Sequence, residues 1–298
     1  MTSISSAEKQ DSVDATMADK TLALRHNGYV PCVTSDIAPI LEKEAFLFDF
    51  DGTVWMGGTM IEGVVDTIQE IRAAGKQPIY LTNNSSKSRN EYLSRLQALN
   101  LCDDPREIVM STDTVTTYLK ARGHRSAYIM GTEAMKAMCA DNGVVHQDDP
   151  SKVEIVVIGF DKTATADKLT FVARLVKRGI PYIVAHPDPF CPSDEGPIVD
   201  CGAYHALIRK STGVDAQAVL GKPAACMIEE VEKRFSIARE KMVIFGDRLY
   251  TDIALGTETQ VSTVLVLTGE NTLADAALSE QTPTWILNSV ADLRGKFS

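Results

Sequence analysis

Short runs of consecutive apolar residues recur along the chain. They are Ala45-Phe46-Leu47-Phe48, Pro78-Ile79-Tyr80-Leu81, Tyr128-Ile129-Met130, Ile155-Val156-Val157-Ile158, Tyr182-Ile183-Val184-Ala185 and Met242-Val243-Ile244-Phe245. A run that is apolar at every position predicts a strand buried on both faces, as in a parallel sheet. Ala218 to Leu220, Val261 to Leu267 and Thr284 to Leu287 add further strands. Between the runs the period changes. Val64, Ile68 and Ile71 recur at helical spacing and the pattern stops at Gly75. Residues 88–99, 169–177, 203–212 and 224–234 also read as helices. Alternating strand and helix predicts an α/β fold, a doubly wound, Rossmann-like parallel sheet whose ligands bind at the carboxyl ends of its strands. The segment from Pro187 to Gly202 carries Pro187, Pro189, Pro192, Gly196 and Pro197 and reads as loop. Residues 1–20 are polar throughout and read as a disordered extension.

Length and charge narrow the class. A chain of 298 residues suggests about two domains. No apolar run approaches the ~20 residues of a membrane span. A net charge of −10 repels phosphate backbones and anionic lipid, so neither a nucleic acid nor a membrane surface is an expected partner. The six cysteines form no Cys-x-x-Cys, which reads as free thiols in a reducing compartment. With no apolar leader in residues 1–20, the expected location is cytoplasmic.

Four polar clusters stand immediately after predicted strands. Asp49-Phe50-Asp51-Gly52-Thr53 places two acids two apart, where the strand period turns both into one pocket, and Gly52 permits a sharp turn with open backbone amides. An acidic turn is the plain alternative; an EF-hand is excluded because Gly52 and Met60 occupy the wrong positions. Thr82-Asn83 offers a hydroxyl and an amide to phosphoryl oxygens, or a helix cap. Lys222 in Gly221-Lys222-Pro223 is a point charge for carboxylate and phosphate, or a turn lysine. It is not a Walker lysine, since Ala216 and Pro223 break that pattern. Asp247 and Asp252 could bind a hard cation such as Mg²⁺, or cap the next helix. Chemistry thus lies before residue 86 and after residue 221. The stretch between holds its own strands and helices, which divides the chain into a core of residues 21–121 and 219–298 and an inserted α/β domain of residues 122–218.

Together Asp49-x-Asp51-Gly52-Thr53, Leu81-Thr82-Asn83-Asn84, Gly221-Lys222-Pro223 and Gly246-Asp247-Arg248-Leu249-x-Thr251-Asp252 resemble the four motifs of the haloacid dehalogenase superfamily. Asp51-Gly52-Thr53-Val54-Trp55, Asn83-Asn84-Ser85-Ser86 and Gly159-Phe160-Asp161 resemble the branch with a large α/β cap, which includes p-nitrophenyl phosphatase, phosphoglycolate phosphatase and NagD-like phosphatases. His186-Pro187-Asp188 and Asp200-Cys201-Gly202-Ala203 are similar to the bacterial sugar-phosphate phosphatases of that branch. Tyr250 stands where many members have Asp.

The resemblance implies a Mg²⁺-dependent phosphomonoester hydrolase working through an aspartyl-phosphate on a small phosphorylated metabolite, with p-nitrophenyl phosphate as artificial substrate. Asp49 would be nucleophile and Asp51 general acid and base. Gly52, Thr82, Asn83 and Lys222 would hold the phosphoryl group, Lys222 also orienting Asp49. Asp49, the Asp51 carbonyl and Asp247 would bind Mg²⁺, with Asp252 in support. In the cap, His186 and Asp188 would read the leaving group. Relatives dimerise through the cap, so a homodimer is expected. A phosphotransferase on the same core and a non-catalytic binding protein are the alternatives; a dehalogenase would need neither Asp51 nor Asp247.

Two further residues are open to two readings. Trp55 could stack on substrate or pack on the cap, and Arg248 could act in catalysis or brace the fourth motif. His186, Cys191, Cys201 and His205 lie close in sequence, but their spacing matches no compact zinc pattern.

Overall fold

A computed structural model describes residues 31–193 and 195–297. The expected disordered extension, residues 1–20, lies outside the described residues. The fifteen strands of the described chain are β1 Ala45–Phe48, β2 Trp55–Met56, β3 Thr59–Met60, β4 Gln77–Thr82, β5 Ile108–Met110, β6 Ser126–Met130, β7 Val145–His146, β8 Ile155–Ile158, β9 Tyr182–Val184, β10 Phe190–Cys191, β11 Ile198–Val199, β12 Ala218–Val219, β13 Met242–Gly246, β14 Ser262–Val266 and β15 Trp285–Leu287.

Six of them form a parallel sheet in the order β15-β14-β13-β1-β4-β5. Its two faces follow from the period of two. Phe46, Phe48, Tyr80 and Phe245 point to one face, where they meet Ile68 and Ile71 of the helix Val64–Ala73. Leu47, Ile79 and Ile244 point to the other and meet Met227, Ile228 and Val231 of the helix Cys226–Phe235. Burial on both sides is why these strands carry runs of consecutive apolar residues. The chain winds outward from β1 through β4 to β5, and later from β13 through β14 to β15. That makes β1 the switch point, where a doubly wound sheet opens a crevice at its carboxyl edge.

A second parallel sheet, β12-β9-β8-β6-β7, is built by residues 126–219. It has its own core around Val156, Ile158, Ile183 and Val184, packed against the helices Ala166–Lys177 and Cys201–Thr212. Two small hairpins, β2-β3 and β10-β11, approach the crevice from the two halves. The hairpins, β5, β7 and the helices Ser111–Ala121 and Glu133–Asp141 were not foreseen. The first of these helices carries four threonines, which disfavour helix in isolation, and its polar side chains are buried by tertiary contacts. The segment 187–202 holds the β10-β11 hairpin rather than loop alone.

Candidate active site

The carboxyl ends of β1, β4 and β13 converge with the segment following β12, and all four polar clusters meet there. Asp49 continues β1, its amide donating to Phe245 O at 2.9 Å. The chain then turns tightly: Val54 N and Trp55 N both donate to Phe50 O. Gly52 adopts φ +88°, and a Cβ at this position would run into the Asp247 carboxylate. The Gly52 amide is already bonded to Trp55 O at 2.7 Å. This corrects the expectation of an open amide there: Gly52 supplies clearance for Asp247.

Lys222 is buried, and its Nζ contacts Asp49 Oδ1 and lies 2.7 Å from Asp252 Oδ1. Burial pulls its pKa down, but Asp252 and Asp49 more than offset this and hold it well above the ordinary lysine value. Asn83 positions the lysine: its Oδ1 accepts from Lys222 N at 2.7 Å and its Nδ2 donates to Lys222 O at 3.0 Å. The Asn83 side chain is therefore spent on the Lys222 backbone rather than free for phosphate. Thr82 and Asn83 line a small cleft together with Asp49, Asp51, Lys222 and Arg248.

Carboxylates outnumber cations in this cleft. Asp51 is pushed up from the usual carboxylate range by burial and by Asp49, against the opposing hydrogen bond from Trp55 Nε1 to its Oδ1 at 2.9 Å. Asp247 and Asp252 are raised as well. Burial dominates in both, with Asp49 adding to it and Lys222 opposing it at Asp252. Oxygens of Asp49, Asp247 and Asp252 lie within 4.8 Å of one another. Asp252 is committed, one oxygen to Lys222 and the other to Arg248 N at 3.2 Å. Asp247 accepts from Glu270 N at 2.6 Å through Oδ2, while its buried Oδ1 has no partner. A buried, unpartnered carboxylate oxygen beside a second carboxylate fits a hard divalent cation, which needs oxygen donors and compensates their charge.

Residues 126–219 close over this cleft. Asp188 is buried and accepts from Asn83 Nδ2 at 3.2 and 3.3 Å, with Arg248 NH1 3.6 Å away. Behind it the fully buried His186 lies at ion-pair distance, 3.5 Å, from both Asp188 and Asp200, and 3.1 Å from Cys201 Sγ. Burial pulls His186 down, yet the two acids carry it above the ordinary histidine value. His186 lines no part of the cleft, so the expectation that it reads substrate is corrected: it lies buried behind Asp188 and Asp200. Cys191 and His205 stay apart from the buried group formed by His186, Asp200 and Cys201. Trp55, 2% exposed, stacks on Phe50 at 4.3 Å and belongs to the hydrophobic core of the larger sheet.

Comparison with known proteins agrees with this geometry. The family description "Haloacid dehalogenase-like hydrolase" matches residues 46–145, and "HAD-hydrolase-like" matches residues 219–293. A 4-nitrophenylphosphatase from Thermotoga maritima is 31% identical, with a TM-score of 0.81 over 87% of this chain and 99% of that one. The chain belongs to the haloacid dehalogenase-like hydrolases. An acid sugar phosphatase of Staphylococcus aureus is 29% identical over 245 residues, 82% of this chain and 94% of that protein. A glycerol phosphate phosphatase from Mycobacterium tuberculosis, solved with calcium, is 28% identical with a TM-score of 0.78, covering 86% of this chain and 76% of that one. These relatives are phosphatases, and this haloacid dehalogenase-like hydrolase is a phosphatase. Among the described residues, no helix is long and apolar enough to cross a membrane.

One contributor escaped the sequence reading. Arg248, which the sequence left open between catalysis and bracing its own motif, spans from Glu270 to Asp188 in the closing domain. Glu270 stands in a loop after β14, far in sequence from every motif, and no local pattern marks it.

Proposed function

We propose that this phosphatase hydrolyses small phosphomonoesters, p-nitrophenyl phosphate and sugar phosphates among them, through an aspartyl-phosphate on Asp49 with Mg²⁺ as cofactor. The observation that carries the reading is the division of labour between two acids two residues apart. Asp49 Oδ1 is gripped by Lys222. Asp51, pushed above the usual carboxylate range by burial and by Asp49, is the acid better suited to carry a proton.

Asp49 attacks phosphorus, the bond to the leaving oxygen breaks, and that oxygen takes the Asp51 proton. Asp51, now a carboxylate, accepts a proton from water as the water oxygen attacks phosphorus. The Asp49–phosphorus bond then breaks, releasing inorganic phosphate and restoring both acids. Trp55 keeps Asp51 aimed by holding Oδ1. Asn83 keeps Lys222 aimed through both of its backbone bonds. Asp49, Asp247 through its unpartnered Oδ1, and the Asp51 carbonyl would hold Mg²⁺, with Asp252 serving chiefly as the counter-charge of Lys222. When bound, the cation supplies charge compensation between the phosphoryl group and the nucleophile. The M. tuberculosis glycerol phosphate phosphatase, solved with calcium and with magnesium, supports this assignment.

The test is turnover of p-nitrophenyl phosphate with Mg²⁺ or with EDTA, in the native protein and in Asp49→Asn. The expected result is activity only with the metal, and a loss on the order of a thousandfold or more in D49N with an unchanged circular dichroism spectrum. Phosphate trapped on the native chain by acid quench should be absent from D49N. Turnover by D49N above a few per cent would remove Asp49 from the nucleophile role.

A further inference from the structure

Beyond Asp51 the small cleft opens into a second cavity. Asp51, Phe190, Pro192 and Arg248 line both, so the two adjoin. The second cavity adds Met56 from one hairpin and Glu270 from the loop after β14. Because Asp51 stands between them, an ester with its phosphoryl group at Asp49 places its leaving group in this second space.

The charges on that wall are unbalanced. Glu270 and Asp247 stand on it as acids, beside the Asp51 carboxyl that protonates the leaving group. The one cation among its described lining residues, Arg248, is shared between two acids at ion-pair distance: Nε lies 2.9 Å from Glu270 Oε2 and NH1 3.6 Å from Asp188 Oδ2. Lys87 and Lys162, which also act on this region electrostatically, are turned over the rings of Tyr92 and Phe160, each at 5.4 Å, and do not line the cavity. A metal held by Asp49 and Asp247 would compensate the phosphoryl side and leave one cation, Arg248, facing the two acids Glu270 and Asp188. Phe190, Pro192 and Met56 add apolar surface, with Ser193 beside them.

We infer that this phosphatase selects monoesters of neutral or cationic alcohols and rejects those whose leaving group carries a second anion, with Glu270 and the Asp188-bound Arg248 as the specificity-determining pair. The inference rests on the proposed function of the same site. An arginine with a free face would welcome a carboxylate or second phosphate in bidentate fashion; one shared between two acids is outweighed by their charge. A second anion would meet Glu270 and Asp188 around that single arginine in a partly desolvated space, where like charges repel strongly.

The test is a charge series of leaving groups matched in size: phosphoglycolate, ethylene glycol monophosphate and phosphoethanolamine, assayed with Mg²⁺ on the native protein and on Glu270→Gln. The native protein should turn over the neutral and cationic esters with kcat/KM at least about tenfold above phosphoglycolate, most of the difference lying in KM. In E270Q the ratio of neutral to carboxylated ester should fall severalfold. Phosphoglycolate hydrolysed as well as the neutral ester, or a ratio unmoved by E270Q while that variant still turns over p-nitrophenyl phosphate, overturns the inference. Failure of the native protein to hydrolyse p-nitrophenyl phosphate would instead overturn the phosphomonoesterase reading itself.

Discussion

Each of the two parallel sheets ends one of its strands near a buried aspartate paired with a lysine, and the two pairs differ in what surrounds them. After β8, Asp161 accepts from Thr163 N and Oγ1 at 2.8 and 2.7 Å through one oxygen and from Lys168 Nζ at 2.7 Å through the other. Every partner lies within seven residues, one acid meets one cation, and the side chain is consumed by its own turn. After β13, Asp252 shares Lys222 with Asp49, and Asp247 beside them keeps an oxygen without a partner. The same residue types at the same kind of position are a finished structural motif in one sheet and a charge imbalance in the other. Buried negative charge beyond what local cations satisfy costs stability, and a protein retains it where a metal or a substrate completes the balance.

Removing each lysine should expose that difference most strongly. Lys222→Met strips Asp49 of its partner and should lower kcat by about a hundred- to a thousandfold. Lys168→Met leaves Asp161 its Thr163 bonds and should hold kcat within about twofold, lowering Tm by roughly 2–4 °C as a one-kilocalorie loss would. Equal kinetic losses in the two variants would dissolve the distinction.

A smaller effect concerns the contact between the halves. Asp188 was expected to read substrate, yet its oxygens are occupied by Asn83 and Arg248. Asp188→Ala should therefore cost roughly tenfold in kcat/KM on p-nitrophenyl phosphate and on glycerol phosphate alike, because closure over the core is weakened for both. A loss confined to one of these neutral-leaving-group esters would restore Asp188 to the role of reader.

The smallest signal is thermal. The carboxyl of Asp247 is raised in the folded protein, so the folded state binds a proton that the unfolded chain releases at ordinary carboxylate pH. Stability of the metal-free protein should therefore fall as pH rises from the unfolded value, about 4, toward the raised folded value. Mg²⁺ competes with that proton, so it should raise Tm by more at pH 8 than at pH 5. A pH-independent Mg²⁺ shift, measured by differential scanning fluorimetry, would separate Asp247 from the metal.

The fold was legible wherever burial is local. β1, β8, β13 and the centre of β4 are runs of consecutive apolar residues because each is covered on both faces, and the sequence shows that directly. The helix Ser111–Ala121 was not legible: only Val115 and Leu119 mark its apolar face, and the helix depends on neighbours distant in the chain. β5 and the hairpin strands are two or three residues long, too short for a period to register.

The site divides along the same line. Asp49, Asp51, Thr82, Asn83, Lys222, Asp247 and Asp252 could be picked out from the sequence because each follows a readable strand, and strand ends of a doubly wound sheet share one edge. Which of them remain available was decided only in three dimensions. Asn83 proved committed to Lys222, 139 residues away, and to Asp188, 105 residues away. His186 was sealed beneath Asp188, Trp55 was folded into an aromatic stack, and Arg248 was drawn between Glu270 and the closing domain. Hydrophobic period is a property of neighbours along the chain, so the sequence alone determined the strands and where chemistry could stand. Charge acts through space with no regard for chain order, so only the tertiary structure decided which carboxylates are satisfied and which are left for a metal and a substrate.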